Sequence, residues 1–304
     1  MKAHKSKFNM TINIANAPCS WGVDYADDIN NPDWQNVFKQ IAEAGYSYCE
    51  IGPYGFLPKD FQETQNFLND FDLNIVGGFI FDHLHQSNKH SIIKSKIIST
   101  CSFLKKLNGK VFVIIDHISK ERMKTSGKRE ISADLPNDEY KALVSFLSEI
   151  CKIVKEEYNL IPVLHPHAGT YIEYEDEIDR LLNDVNSESL NLCLDTAHLS
   201  YSGIDPYQAI LKYNSLVKHM HFKDIKLDIL NNVHDKNIDF DTAVSNGVFC
   251  PLGSGMIDFK KVYENLYKIN YDGFATIEQD IDPTLGLSAI EYAKRSLEHL
   301  NQFK

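Results

Sequence analysis

Two apolar runs in the middle of the chain each end in side chains that can hold a metal. Leu160 to Leu164 runs into His165, His167 and, after a short turn, Glu173; Leu190 to Leu194 runs into Asp195 and His198. The arrangement recurs. Tyr48 to Ile51 carries Glu50, and Lys110 to Asp116 ends on Asp116 and His117. Val217 to Phe222 carries His219 and His221 and leads into Lys223, and Gly273 to Ile277 leads into Glu278. Carboxylates mixed with imidazoles, without a set of thiolates, suit a divalent cation of intermediate hardness such as Mn, Co, Fe or Zn. A purely oxygen-ligated Ca or Mg site fits them less well. Each residue also has an ordinary reading. Asp116 and His117 can cap a strand end, Asp195 and His198 can be a helix N-cap and a first-turn residue, and Glu278 can be a surface charge. His219 and His221, two apart on a strand, share a face, and histidines inside a barrel are costly unless paired or ligated. Recurrence at consecutive strand ends favours one shared site over scattered polar residues.

Such a site needs parallel strands, because residues just past their carboxyl ends gather on one face. Eight apolar, β-rich runs are present: Ile12 to Pro18, Tyr48 to Ile51, Leu73 to Phe81, Lys110 to Asp116, Ile161 to Leu164, Leu190 to Leu194, Val217 to Phe222 and Gly273 to Ile277. Most are followed by a helical pattern; Leu143, Phe146, Leu147, Ile150 and Val154 keep core spacing within Asp138 to Tyr158. No Pro/Gly/Ser-rich linker divides them. Uninterrupted β/α alternation with a count of eight predicts an α/β protein with a closed (β/α)8 TIM barrel. The 304 residues are enough for one such barrel, which typically needs about 250. The expected organisation is a poorly ordered tail over 1–10 and a single barrel domain over 11–304. Two stretches lack the pattern. Lys120 to Asp134 is polar and basic and predicts a loop. Ile225 to Val248 follows the seventh strand, where a segment can cover the site as a lid.

Composition narrows the partners. Lys+Arg 31 against Asp+Glu 42 gives a net charge of -11, and a surface that acidic repels phosphate backbones, so nucleic acid is not expected. No apolar run reaches the ~18 residues of a membrane span, and the polar first ten residues hold no hydrophobic signal core. The six cysteines are widely spaced with no CxxC pair. They predict reduced, mostly buried thiols of a cytoplasmic protein.

Longer motifs carry a resemblance. Leu-Asp-Thr-Ala-His at 194–198, His-Phe-Lys-Asp at 221–224 and Ile-Glu-Gln-Asp at 277–280 resemble, in this order, the xylose isomerase-like TIM-barrel superfamily of sugar isomerases, epimerases and endonucleases. Asn-Ala-Pro-Cys-Ser-Trp-Gly at 16–22, Glu-Ile-Gly-Pro-Tyr-Gly-Phe-Leu-Pro at 50–58 and His-Pro-His-Ala-Gly-Thr-Tyr-Ile-Glu at 165–173 resemble, more closely, its inosose dehydratase family of myo-inositol catabolism. The resemblance covers nearly the whole chain after the tail. It implies one metal held by residues from strands five to eight, among which Asp195, His221 and Glu278 map plainly. Many relatives carry a Glu at the strand-five end where this chain has His165; Glu173 is taken as the fourth ligand, with His165 as the alternative. The cofactor expected is a divalent metal, Mn or Co first, with Zn, Fe or Mg also compatible.

The implied reaction is removal of water from a cyclic polyol ketone, 2-keto-myo-inositol, to give a trihydroxycyclohexane-dione. It needs a base for the proton alpha to the ketone, a Lewis acid for the developing enediolate, and an acid for the departing hydroxyl. His198, His167 and Lys223 are the candidates for proton transfer. A Lys beside a cation has its charged form disfavoured, so Lys223 is read as a possible neutral base, against the plainer reading of an ion pair with Asp224 or Asp195. Glu50, His165 and Trp21 are candidates for substrate contact, Trp21 by covering an apolar ring face, against a plain core role. Three other readings share the scaffold: an isomerase or 3-epimerase working through the same enediolate, a phosphodiesterase on abasic DNA, which the charge disfavours, and a sugar-binding barrel without turnover. Homo-oligomer formation is left open.

Overall fold

A computed structural model of the chain describes residues 11–185, 190–280 and 288–303. The expected tail over 1–10 lies outside them. Eight strands form a closed parallel barrel in which each pairs with its sequence neighbours and the last pairs with the first. They are β1 (Ile12–Asn16), β2 (Tyr48–Glu50), β3 (Asn74–Asp82), β4 (Val111–Asp116), β5 (Ile161–Leu164), β6 (Asn191–Asp195), β7 (Val217–Phe222) and β8 (Gly273–Ile277). This is the expected (β/α)8 barrel. Strands covered on both faces read as continuous apolar runs, and β4, buried at all its positions, is the clearest. Gly77 is demanded by close approach. A Cβ there would stand 2.6 Å from Val111 Cγ2 and 2.8 Å from the Val111 carbonyl oxygen, so any larger residue would push β3 and β4 apart.

Helices ring the barrel and bury their apolar stripes against it. Asn137–Glu156 turns Leu143, Phe146, Leu147, Ile150 and Val154 inward. Asp33, Asp60, Asp205 and Asp258 accept from first-turn amides of the helices that follow them, satisfying donors that would otherwise be orphaned. Inside the barrel, Val111, Val113, Ile115, Val163 and Cys193 form an apolar cluster of their own, with Phe79 and Phe81 against it. Among the described residues no helix is long and apolar enough to cross a membrane. All six cysteines are free, and five are buried.

Both stretches without a periodic pattern hold structure. Lys120–Thr125 is a helix and Arg129–Ile131 a 3-10 turn, which corrects the expectation of a loop. The ordering force is a buried cation rather than an apolar stripe. Arg122, fully buried, donates to the Glu177 carboxylate with both guanidinium ends and to the Ala133 carbonyl, and stacks over Tyr174. Removing one partner of a buried pair strands the other charge, so Arg122→Ala is expected to destabilise the protein by about 3 kcal/mol. Circular dichroism should show a midpoint lowered by roughly 5 °C or more; an unchanged midpoint would contradict this account. After β7, Leu227–Lys236 and Phe240–Ser245 are helices. A short antiparallel pair, Asp224–Ile225 with Phe249–Cys250, closes the base of this insertion. The Asp224 carboxylate fastens it by accepting from the amides of Ile225, Gly253, Gly255 and Ile257.

Candidate metal centre and reaction cavity

The carboxyl ends of four adjacent strands supply one cluster. His165 follows β5, Asp195 ends β6, His221 lies near the end of β7, and Glu278 follows β8. Asp195 pairs in register with His221, and His221 with Thr276. His165, Asp195, His221 and Glu278 each offer a donor atom within 4.8 Å of the others.

Hydrogen bonds decide which atom each residue can offer. The Nδ1 of His165 lies 2.8 Å from the Pro166 carbonyl. A carbonyl only accepts, so Nδ1 carries the proton and Nε2 keeps its lone pair. For His221 both nitrogens face a carboxylate, and Nδ1 is the one turned to the cluster beside Glu278. Its Nε2 lies 3.3 Å from Glu50 Oε1, while Nδ1 stands 3.2 Å from Glu278 Oε2. Asp195 Oδ1 accepts from the amides of Ala197 and His198 at 2.8 Å, capping the helix Thr196–Tyr201. Its Oδ2 is buried without a hydrogen-bond partner, as is His221 Nδ1. Orphaned buried acceptors are costly, and two beside further donors are what a cation site leaves when its cation is set aside. Two imidazoles and two carboxylates fit a divalent ion of intermediate hardness.

Glu173, taken as the fourth ligand, is elsewhere. Its Oε1 accepts from Ser126 Oγ at 2.8 Å, the Gly127 amide at 2.7 Å and Ser202 Oγ at 3.3 Å, and its Oε2 accepts from the Gly169 amide at 3.0 Å. The turn at Gly169 carries it behind the site, where it ties three segments together beside Arg122. His165, read also as a substrate contact, takes the place in the cluster.

Glu50 is likewise not a surface for substrate hydroxyls. It lies inside the barrel, 1% exposed, and its Oε1 accepts from His219 Nε2 at 2.9 Å, His221 Nε2 at 3.3 Å and Thr276 Oγ1 at 2.7 Å. Burial opposes its ionisation, but the bonds from His219 and His221 outweigh that and hold it below the usual carboxylate range. It fixes the ring of His221 from beneath. Trp21 is also relocated. Its indole donates to Gln40 Oε1 at 2.8 Å and packs in the main core, outside the reaction cavity.

Above the cluster lies a cavity of about 400 Å³, walled by His165, His167, His221, Lys223 and Glu278 among others. Lys223, buried, has Asp280 at 3.0 Å, Glu278 at 3.2 Å, His198 Nε2 at 3.3 Å and Asp195 at 3.7 Å. Burial works against its charge, yet Asp280, Asp195 and Glu278 outweigh it and hold the ammonium well above the usual lysine range. The three carboxylates favour the ion-pair reading over the neutral base. The ion pair exists, with Asp195 and chiefly Asp280; Asp224 is occupied at the base of the insertion. The rings of His167 and His198 lie tilted at 35° with centroids 3.8 Å apart. Burial, and then neighbouring positive charge, pushes both below the imidazole range. His167 Nδ1 donates to the Ala168 carbonyl at 2.8 Å, so Nε2 is its lone-pair nitrogen. His198 turns Nε2 to the Lys223 ammonium and supports both groups.

The sequence reading passed over Cys19, Asp24, Tyr25, Phe240 and Asp280 in the wall of the cavity. Asp280 had a signal, since it stands two residues beyond Glu278. Phe240 comes from the insertion and packs on His167 and His198, so that segment does help to cover the site. Asp116 and His117 do not join the cluster.

Similarities to known proteins agree with the fold. The model of the family described as xylose isomerase-like TIM barrel matches residues 38–303. An inosose dehydratase of Clostridium tetani is 30% identical over 300 residues, covering 96% of this chain and 97% of its own. One of Lacticaseibacillus casei is 28% identical over 294 residues, with 96% and 97% covered. Among solved structures, the probable 3-DHS dehydratase AsbF of Bacillus anthracis superposes with a TM-score of 0.71 at 17% identity, covering 95% of this chain and 99% of its own. The IolI protein with a bound zinc atom gives 0.71 at 14%, with 96% and 98% covered. At those identities the superpositions speak to the fold.

Proposed function

This chain belongs to the xylose isomerase-like TIM-barrel family, and on that premise we propose that it removes water from 2-keto-myo-inositol with the help of a divalent metal. It is an enzyme of the hydro-lyase class, as its relatives over the full chain are. The observation that carries the metal-dependent reading is the convergence of His165, Asp195, His221 and Glu278, with two of their atoms buried and unsatisfied, beside the Lys223 ammonium.

These four residues would hold the metal. Bound there, it supplies a Lewis acid for the ketone oxygen and the adjacent hydroxyl. The relatives are not named for a metal; IolI holds zinc, and this ligand set takes Zn as well as Mn or Co. His167, neutral and with Nε2 as its lone-pair nitrogen, takes the proton from the ring carbon next to the ketone. Lys223 gives a proton to the departing hydroxyl, so the C–O bond breaks to release water and a ring double bond forms. Two groups pushed to opposite protonation states divide the base and acid roles. His198 and Asp280 position Lys223. A small, neutral cyclic polyol ketone suits the cavity, and six free cysteines are in keeping with work in the cytoplasm.

The test is reconstitution. Protein stripped of metal should be inactive, and Mn, Co or Zn should restore formation of a product lighter by one water. A product of unchanged mass would move the assignment to an isomerase or 3-epimerase, and no turnover with any divalent metal would end the proposal. Glu50→Gln keeps the size of the side chain but replaces an acceptor-only group. Because partners behind a ligand histidine typically contribute 10- to 100-fold, metal affinity in a competition assay with a chelating dye should fall by about that factor. Unchanged affinity would show that Glu50 does not orient His221.

A further inference from the structure

Beside the reaction cavity lies a larger space of about 710 Å³. The two share Tyr25, Ile118 and Asp241 in their walls, so they adjoin. The second space contains a buried carboxylate–histidine pair that the proposed reaction does not use. Asp116, at the end of β4, sets its two oxygens 2.8 and 3.0 Å from His85 Nδ1, and the side chains are 0% and 5% exposed. A carboxylate accepts, so Nδ1 carries the proton and Nε2 of His85 presents a lone pair. Gln86 Nε2 donates to that nitrogen at 3.3 Å, so the pair orients the Gln86 amide, and both residues line the space. A pair this buried does not arise from surface composition; here it fixes one tautomer.

Flat rings surround it. His83 stacks on His117 at 4.2 Å, His117 on Phe81 at 4.6 Å, and Tyr171 meets His85 edge-on at 5.1 Å. His117 has its own tautomer set, since Nδ1 donates to the Ile118 carbonyl and Nε2 accepts from Tyr25 Oη at 3.1 Å. The Gln86 amide and the Glu121, Glu139 and Asp241 carboxylates beside flat rings suit a ring that carries hydroxyls on its edge and C–H groups on its faces. The charges of the wall, Glu121, Glu139 and Asp241 against Lys120, disfavour a phosphate or carboxylate.

We propose that this space is a second subsite, anchored by Gln86 on the Asp116–His85 pair, for a neutral hydroxyl-rich unit linked to the ring being dehydrated, so that O-glycosylated keto-inositols are substrates. The proposal rests on the dehydratase reading of the adjoining site. It is tested by comparing 2-keto-myo-inositol with each of its O-glucosyl regioisomers. For at least one conjugate, kcat/KM should exceed that of the free ring by about tenfold, through KM. His85→Ala and Gln86→Ala should remove that gain while leaving turnover of the free ring within about twofold. Turnover of the free ring with no gain for any conjugate overturns the subsite alone, as does an equal loss for both compounds in the variants. If neither compound is dehydrated, the dehydratase reading fails. Saturation-transfer NMR of the conjugates then decides the subsite: a glucosyl signal with wild type and none with His85→Ala upholds it, and the same signal with both, or with neither, overturns it.

Discussion

Asp195→Asn is expected to lower kcat/KM by at least about 10³-fold and, in metal-free protein at pH 7, to raise thermal stability. The two effects come from different oxygens. Oδ1 caps the helix Thr196–Tyr201, a role asparagine performs as well as aspartate. Oδ2 has no hydrogen-bond partner and is the atom that the proposed site would give to a metal. Burial pushes the carboxyl up to about 6, with Lys223 pulling it partly back. The unfolded chain ionises near the ordinary value of 3.8, so the folded group has the raised pKa. Its contribution to stability is complete below about pH 4 and is lost as pH rises through about 6. At pH 7 the ionised carboxylate then costs on the order of 2–3 kcal/mol, which the amide does not. Melts in a chelator should place the variant several degrees above wild type at pH 7 and level with it at pH 4. Adding metal should reverse the order, because only wild type gains binding energy. A variant less stable than wild type in chelator at pH 7 would show that Asp195 is a structural acid.

How far the sequence anticipates the molecule depends on the range of the forces involved. The strand runs 161–164, 217–222 and 273–277 coincide with β5, β7 and β8, because short β-rich runs bounded by turns mark buried strands even where, as in β7, Lys218, His219 and His221 interrupt the apolar signal. Once eight such strands close, the barrel itself sets where their carboxyl ends go. That is why topology brings Asp195, His221 and Glu278 to one face with the other strand-end residues, and the family resemblance then picks these three out as ligands. Glu173 could not. Its position depends on the turn at Gly169 and on Ser126 and Gly127 from another segment, and that segment is ordered by a buried arginine that leaves no periodic trace. The misreading of Glu50 is of a different kind. At a strand end, one residue of register decides whether a side chain faces the cavity or the barrel interior, and β2 shifts register between Cys49 and Glu50. Helices 227–236 and 240–245 carry little strand signal, and their few buried positions, Leu230, Val233, Phe240 and Ala243, leave only a brief helical one.

Lys223→Met is expected to lower kcat by about 10³-fold, within the 10²–10⁴ range for a positioned proton donor, while metal affinity is kept or improved. Methionine fills much of the same volume beside Phe249, over whose ring Nζ sits at 5.2 Å. The loss of positive charge beside Glu278 and Asp195, 3.2 and 3.7 Å from Nζ, removes a competitor for the same carboxylates. A residue that merely shaped the site would give a parallel loss of activity and metal. Lys223→Arg should not rescue, because a planar fork cannot replace a compact ammonium between Asp280 and His198. The pH profile separates the two roles open to a lysine. A neutral base would make activity climb as pH rises toward its pKa. A proton donor held well above the ordinary lysine range stays charged throughout the working range, so wild-type kcat should show no alkaline fall from this group below about pH 10. An activity that rises with pH to a plateau above 9 in wild type, with that limb absent in Lys223→Met, would reverse the assignment and make Lys223 the base.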